Sequence, residues 1–385
     1  MNYVLNLKKI CLFVRDELCD IIISVSEIVS ILFCVVISSP VLSDEIIADQ
    51  IISPHNDESP KRPHVPIGVF IAEMPAPNKL VIAIAPNYSG SSGMLVGSTP
   101  ISPQKVVLTT PWFFNPRYFD RVTPEYKNTV TQNGVIHYGL SEDLSIAITA
   151  SYTHNYLASL TFKGTEGIIP LGKSYTETMG FSDLTSTAVI RVFEDPIHKV
   201  TLNLGAAYPI GSDTVNKNTL KSNGVFEDSR AAYSQQPSSQ TYSFLPGLLY
   251  SGFIGPLAWG VAYRGRFYLF DNNQGWRPGN SNEFDGWLTY NITPEIEPTL
   301  RVVTTKWQHI QGYDPEINGK TPGADPNFNG GQRAEIYGGA IVDGRLLGMK
   351  SLIIATEIGV PFYQNLSGPQ QMKNWQGALQ LRYRY

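Results

Sequence analysis

The feature that most limits what this chain can become is a two-residue period that recurs through everything after residue 78. Segments of about ten residues alternate apolar side chains with small or polar ones, which puts one set on each face of a β-strand. They fall at 79–90, 129–140, 144–156, 182–193, 198–209, 240–252, 256–270, 282–292, 296–308, 331–343, 347–362 and 373–385. About ten residues is also the length a tilted strand needs to cross a bilayer. Five connections are tight: "SED" (141–143), "EDPIHK" (194–199), "IGPL" (254–257), "TPEI" (293–296) and "DGRL" (343–346). They alternate with longer, mostly polar ones. An even strand count with that alternation gathers all the tight turns, and both ends of the sheet, on one side.

A soluble sandwich alternates too, so the contents of the two faces decide. In "LAWGVAYRGRFYLF" (257–270) one face is Trp259, Val261, Tyr263, Gly265, Phe267 and Leu269, and the other carries Arg264 and Arg266. In "KVTLNLGAAYP" (199–209) the apolar face is Val200, Leu202, Leu204, Ala206 and Tyr208. The opposite faces hold mainly Thr, Asn, Gly and Arg, a set that fills a polar barrel interior, where a soluble sheet would show Lys and Glu. Charged residues are 16% of the chain, against about 25% in an ordinary soluble domain. Lys306 is the one charge this register leaves near the apolar face, and it lies close to a loop. Tyr208, Trp259, Tyr290, Trp375 and Tyr385 sit at strand ends, where rings suit a membrane–water interface.

The expected fold is therefore all-β: a transmembrane antiparallel β-barrel of about twelve strands over 79–385, with short periplasmic turns and long extracellular loops, in a bacterial outer membrane. Lipid punishes an unpaired strand edge, so the last strand, "NWQGALQLRYRY" (374–385), must pair with the first. Its alternation points Leu379, Leu381, Tyr383 and Tyr385 outward and Gln376, Gln380, Arg382 and Arg384 inward. A terminal aromatic strand of this type resembles the signal read by the bacterial barrel-assembly machinery. The expected partners are that machinery, outer-membrane lipids and a small-molecule solute.

Residues 1–43 read as an export signal: Lys8 and Lys9, the apolar run "IVSILFCVVI" (28–37), then "SSPVLSD". The run is too short to span as a helix. The three cysteines, Cys11, Cys19 and Cys34, all fall inside it, so cleavage leaves a cysteine-free chain. Residues 44–78, rich in Pro and charge, read as a periplasmic tether.

Enzyme chemistry is not expected. No His-x-Ser spacing, Gly-rich phosphate loop or zinc-type Cys or His-Glu pairing occurs, so no catalytic residue, cofactor or metal is assigned. A net charge of −4 gives no reason to expect nucleic acid as a partner. The loop 313–333 holds Asp314, Glu316 and Asp325, oxygen ligands of the kind calcium prefers, but without a fixed spacing. The inward polar positions are candidate pore-lining residues: Arg191, Arg264, Arg266, Glu283, Asp285, Arg301, Arg333, Glu335, Tyr337, Glu357, Arg382 and Arg384. Opposed charges of this kind either brace the interior or line a solute path, and both readings stay open.

From His64 onward the chain resembles the bacterial family of outer-membrane transporters named for the MetA pathway of phenol degradation. The stretches that carry the resemblance are "HVPIGV" (64–69), "LPGLLYSG" (245–252), "DNNQGWRPGNSNEFDGW" (271–287), "GADPNFNGGQR" (323–333) and "IGVPFYQNLSGPQ" (358–370). The resemblance implies a barrel that passes small solutes, aromatic or other small organic compounds among them. Many relatives follow the first motif with Met and His. Here "FIAEMPAPNK" has no His and one Met, so metal binding through it is not expected. The alternative is a structural or surface-interaction barrel whose long loops, 91–128 and 210–239, bind outside partners.

Overall fold

The computed structural model describes residues 62–69 and 71–385. The expected signal (1–43) and the first part of the expected tether (44–61) lie outside them. Eleven strands form the main sheet: β1 (Leu80–Gly97), β2 (Val122–Gly139), β3 (Leu144–Phe162), β4 (Pro170–Glu194), β5 (His198–Pro209), β6 (Ser243–Ile254), β7 (Leu257–Tyr268), β8 (Ser281–Tyr290), β9 (Ile296–Trp307), β10 (Gly331–Asp343) and β11 (Leu352–Arg384). Each is antiparallel to the next in chain order, and a short strand, Thr99–Ile101, is appended to β1. β11 pairs back onto β1, with Val81 opposite Arg384 and Leu95 opposite Gln370. The sheet has no free edge except at that short strand, and it is a barrel.

β11 is 33 residues long, about 110 Å if straight at ~3.3 Å per residue, against the ~30 Å of a bilayer core. It doubles back instead. Gly368 has φ of 100°, a conformation that only glycine takes without strain. Gln364 Nε2 donates to the Lys373 carbonyl at 2.9 Å, and Lys373 N–H donates to Gln364 Oε1 at 3.1 Å. At the other end Arg384 N–H donates to the Ser351 carbonyl at 2.9 Å. The outgoing half pairs with β10 and the returning half with β1. The wall thus has the twelve crossings that the alternation predicts.

The five tight turns lie where the sequence places them. The opposite rim differs. β1 runs on to Gly97, β2 begins at Val122, β3 reaches Phe162 and β4 begins at Pro170. The connection expected at 157–181 is largely extended sheet, the one at 91–128 is extended at both ends with a short helix, Pro103–Thr109, between them, and the connection expected at 363–372 is the hairpin of β11. The reason lies on the outer face of these extensions. Lys173 pairs with Glu125 at 2.7 Å and His154 with Glu177 at 3.2 Å, and Lys173, His154 and Glu177 are about half exposed. Water bathes both sides there, so the apolar–polar alternation fades although the backbone ladder continues. The edge of the apolar zone is marked by Tyr152 set edge-on against Phe181 (5.4 Å) and Tyr208 against Tyr242 (6.3 Å).

Below those rings the outer wall is a continuous apolar belt. Ile136, Ile148, Leu204, Leu248, Val261, Leu288, Leu300, Ile336 and Val360 are each 39–57% exposed. A belt of that extent would drive association in water, whereas hydrocarbon accepts it. The inner wall is built from small polar groups, with Ser145, Thr149, Thr187, Thr201 and Thr289 buried along it.

The long loops pack on one another. Tyr233, Trp276, Ile310, Ile317 and Ala324 form a small apolar core between the 210–242, 269–280 and 308–330 connections. Arg230 binds the fully buried Asp314 at 2.9 Å, and the Asp314 N–H donates to Tyr233 Oη at 3.1 Å. Asp325 Oδ1 accepts from Asn327 N–H at 2.8 Å, capping the short turn that follows. These two candidate calcium ligands therefore serve the loop fold. Among the described residues no group of three or more His, Cys, Asp or Glu is placed to hold a metal ion.

Candidate functional site

Strand alternation delivers the candidate pore-lining residues to the inner wall, where they face one another across neighbouring strands. Arg301, 5% exposed, sits at the centre. Its Nη1 donates to Asp285 at 2.6 Å, its Nε donates to Glu357 at 3.2 Å, and its Nη2 donates to the other Glu357 oxygen. The guanidinium also lies over the Tyr337 ring at 4.3 Å. Arg333 and Lys373 both bind Glu335, at 2.9 and 2.8 Å, and the Tyr337 hydroxyl donates to it at 3.0 Å. Arg264 pairs with Glu283, and Arg266 with Asp183. Arg191 stands apart, at the tight-turn rim with Asp143 and Glu194, each at 2.7 Å. Cations and carboxylates alternate along the lumen, so its midsection is polar and nearly balanced in charge.

The expected interface aromatics sit on the outer wall. Tyr208, Tyr290, Trp375 and Tyr385 are 41–49% exposed, and Tyr385 packs against Tyr383 at 4.7 Å between centroids. Trp259 lies on the outer face of β7, its ring over Gly252 of β6.

Sequence reading did not place the segment 62–79 inside the barrel. It enters from the tight-turn end, where Arg62 donates to the Asp195 carbonyl at 2.7 Å. The His64 N–H donates to Glu297 Oε2 at 2.7 Å, and its ring Nδ1 donates to Oε1 at 2.9 Å. Arg384 donates to the other ring nitrogen at 3.0 Å, which fixes the tautomer. Deeper in, Ile67 packs against Ile341, Ile353 and Ala355, and Val69 joins Ala72, Leu249 and Trp287. The backbone of Gly68 rests against Arg301 and Glu357, so that a Cβ there would collide with both side chains. Only glycine can sit in that position without moving the central ion pair.

The way out is latched by Glu73, whose Oε2 accepts from Arg382 at 2.5 Å and lies 3.4 Å from Arg384. Burial alone would raise the Glu73 carboxyl, but the charges of Arg382 and Arg384 outweigh it and hold the group down at about 2. The one signal in the sequence was that "HVPIGV" is apolar and uncharged inside an otherwise polar stretch. Its partners lie hundreds of residues away, where spacing cannot show them.

Above the segment, a cavity of about 310 Å³ is bounded by Val69, Leu249, Arg264, Arg266, Glu283 and Asp285. A larger chamber of about 940 Å³ follows among the loops. His137 Nε2 lies 2.8 Å from Ser145 Oγ on the neighbouring strand, both buried. Among the described residues no carboxylate is hydrogen-bonded to the other ring nitrogen, so the pair lacks the group that would orient it for nucleophilic work.

No family model matches the chain, and no curated protein matches it in sequence. Among solved structures it is similar to the COG4313 outer membrane channel from Pseudomonas putida F1, with a TM-score of 0.50 and 10% identity over 81% of this chain and 97% of that one. Weaker likenesses, which carry no argument, are a Pseudomonas aeruginosa FadL homologue (TM-score 0.39, 9% identity, 80% and 90% covered) and the P. putida toluene transporter TodX (0.38, 8%, 80% and 89%). At these identities the likeness speaks of architecture: the chain folds as an outer-membrane channel barrel does.

Proposed function

We propose that this protein is an outer-membrane channel for small organic solutes, held shut by residues 62–79 in the state described above. The observation that carries the reading is that a segment outside the wall, fixed by a few polar contacts at one end, occupies a lumen that continues above it as two cavities. A barrel meant only as a scaffold would gain more by filling its interior with wall side chains, as small barrels do. The resemblance to the phenol-degradation family supports the same assignment and adds aromatic compounds to the expected solutes. The long loops then face the outside and the tight turns the periplasm. An epitope inserted after Asn223, at the exposed tip of the hairpin formed by Asn216–Leu220 and Phe226–Arg230, should bind antibody on intact cells. Labelling only after permeabilisation would invert the orientation.

The channel reading is tested in planar bilayers. Wild type should be nearly silent, and a chain lacking residues 62–78 should conduct steadily. Glu73→Ala, which leaves Arg382 and Arg384 facing no acid at the latch, should flicker between the two. Because the Glu73 carboxyl is lower in the folded chain than its ordinary 4.5, its hold is complete above that value and is lost as pH falls toward 2. Lowering the pH from 8 to 5 should therefore leave the wild type shut. A deletion variant that folds, judged by heat-modifiable gel mobility, yet stays silent would hand the case to the structural-barrel alternative.

A further inference from the structure

The chamber among the loops differs from the midsection in one respect: among the described residues five of its six cations form no ion pair, the sixth, Arg230, being the partner of Asp314. Arg121, Lys127, Lys217, Lys221 and Lys320 all line it, and Glu227, near Lys221, is the one carboxylate among its lining residues. Among the described residues none of these five cations forms an ion pair. Lys127 donates to the Ser234 carbonyl, Lys217 to Gln235 Oε1 and Lys221 to Ser229 Oγ at 3.0 Å. Arg121 is fully buried; its Nη2 donates to the backbone of Lys163 and Glu166, while its Nε and Nη1 have no partner. Two orphaned guanidinium N–H groups in a buried position are costly unless an anion meets them. Burial first, and then the neighbouring charges of Lys221 and Lys127, push the Lys217 ammonium down to about 7. The chain as a whole is acidic, at −4, so this concentration of positive charge is local.

Part of the chamber's lining is aromatic. Trp112, Phe114 and Tyr313 line it and pack against one another, Trp112 to Phe114 at 6.0 Å and Phe114 to Tyr313 at 5.9 Å. Lys320 lies over Trp112 at 5.1 Å. A small inorganic anion would use only the basic wall, and a neutral hydrocarbon only the aromatic one.

We propose that this chamber is a binding site for an organic monoanion with an aromatic body, its carboxylate held by Arg121, Lys127, Lys217 and Lys221 and its ring by Trp112, Phe114 and Tyr313. The assignment narrows the solute class of the channel reading and rests on it only for the idea of passage, since binding at the chamber is an equilibrium property of the closed barrel. Benzoate is the probe and benzamide its neutral counterpart of the same shape. Tryptophan fluorescence of purified wild-type protein should change saturably with benzoate, a change lost in Trp112→Phe, and respond at least about tenfold more weakly to benzamide, as the loss of a charge-assisted contact requires. Lys217→Gln with Lys221→Gln should weaken benzoate binding about tenfold, and the two arginine replacements should restore it. Both lysines lie in a surface loop, and gel mobility confirms folding; if the double variant fails to fold, Lys221→Gln alone and the benzoate–benzamide comparison still decide. Equal binding of benzamide overturns the basic half of the site. Displacement of benzoate by equimolar acetate or inorganic phosphate overturns the aromatic half. A deletion variant lacking 62–78 that never conducts would defeat the channel reading while leaving these titrations intact, so the two failures are separable.

Discussion

Replacing Arg301 with leucine should destabilise the folded barrel by about 3–5 kcal/mol, the cost of stranding buried charge when one partner of an ion pair is removed. The substitution leaves Asp285 and Glu357, at 6% and 4% exposure, facing each other with no cation between them. It also removes the guanidinium against which Gly68 rests, so the lumen segment loosens with it. Urea unfolding in lipid vesicles, followed by gel mobility, gives the measurement. The triple change Arg301→Leu, Asp285→Asn, Glu357→Gln should recover most of the loss, because no charge is then left unpaired. An unfolding midpoint for Arg301→Leu equal to wild type would mean that water reaches this site freely, and that the lumen is far wetter than the burial of these side chains implies.

The second large effect lies on the other face of the wall. Val261→Arg puts a guanidinium on the apolar belt near the middle of β7, where such a change costs roughly 2–4 kcal/mol. Leu269→Arg, just beyond the strand end at Tyr268, should be mild because the side chain reaches the interface. Arg264→Ala, on the inner face and half-exposed in the lumen, should leave a folded barrel. Folding yields in vesicles rank the three. A normal yield for Val261→Arg together with failure of Arg264→Ala would mean that the two faces of β7 are assigned the wrong way round.

The wall was legible because lipid enforces a rule that sequence can express. Every second residue of β7 from Trp259 to Phe267 must suit hydrocarbon or the interface, and turns such as "IGPL" have strong local chemistry. Where lipid ends, the rule ends. The ladder between β3 and β4 runs on through Tyr156, Glu177 and Lys173, but nothing in "PLGKSYTETMG" announces it, since backbone pairing in water leaves both faces free to be polar. Alternation alone assigns the charged residues to one face of each strand. Which carboxylate each arginine takes was not legible, because Arg301 chooses Glu357 and Asp285 across two different strands. Lys127 and Lys217 fall in stretches that the alternation leaves as connections, 91–128 and 210–239. Their meaning depends on acids that are not near them in space, and an absence of that kind has no sequence pattern.

The contacts of Arg384 bear on the order of events during assembly. Most pairings in the wall join sequence neighbours and can form as each hairpin becomes available. The seam between β1 and the returning half of β11 is different, for it joins the two extremes of the barrel and must wait for the whole chain, a slow step by any measure of contact distance. Arg384 belongs to that last strand, and it holds both His64 and Glu73. The event that shuts the wall is thus the same event that fastens the inner segment, and a copy in which residues 62–79 had not already been laid against β9 and β10 would close without its latch. His64 and Glu73 are thus held by the strand that completes the wall, and their anchorage cannot precede its arrival.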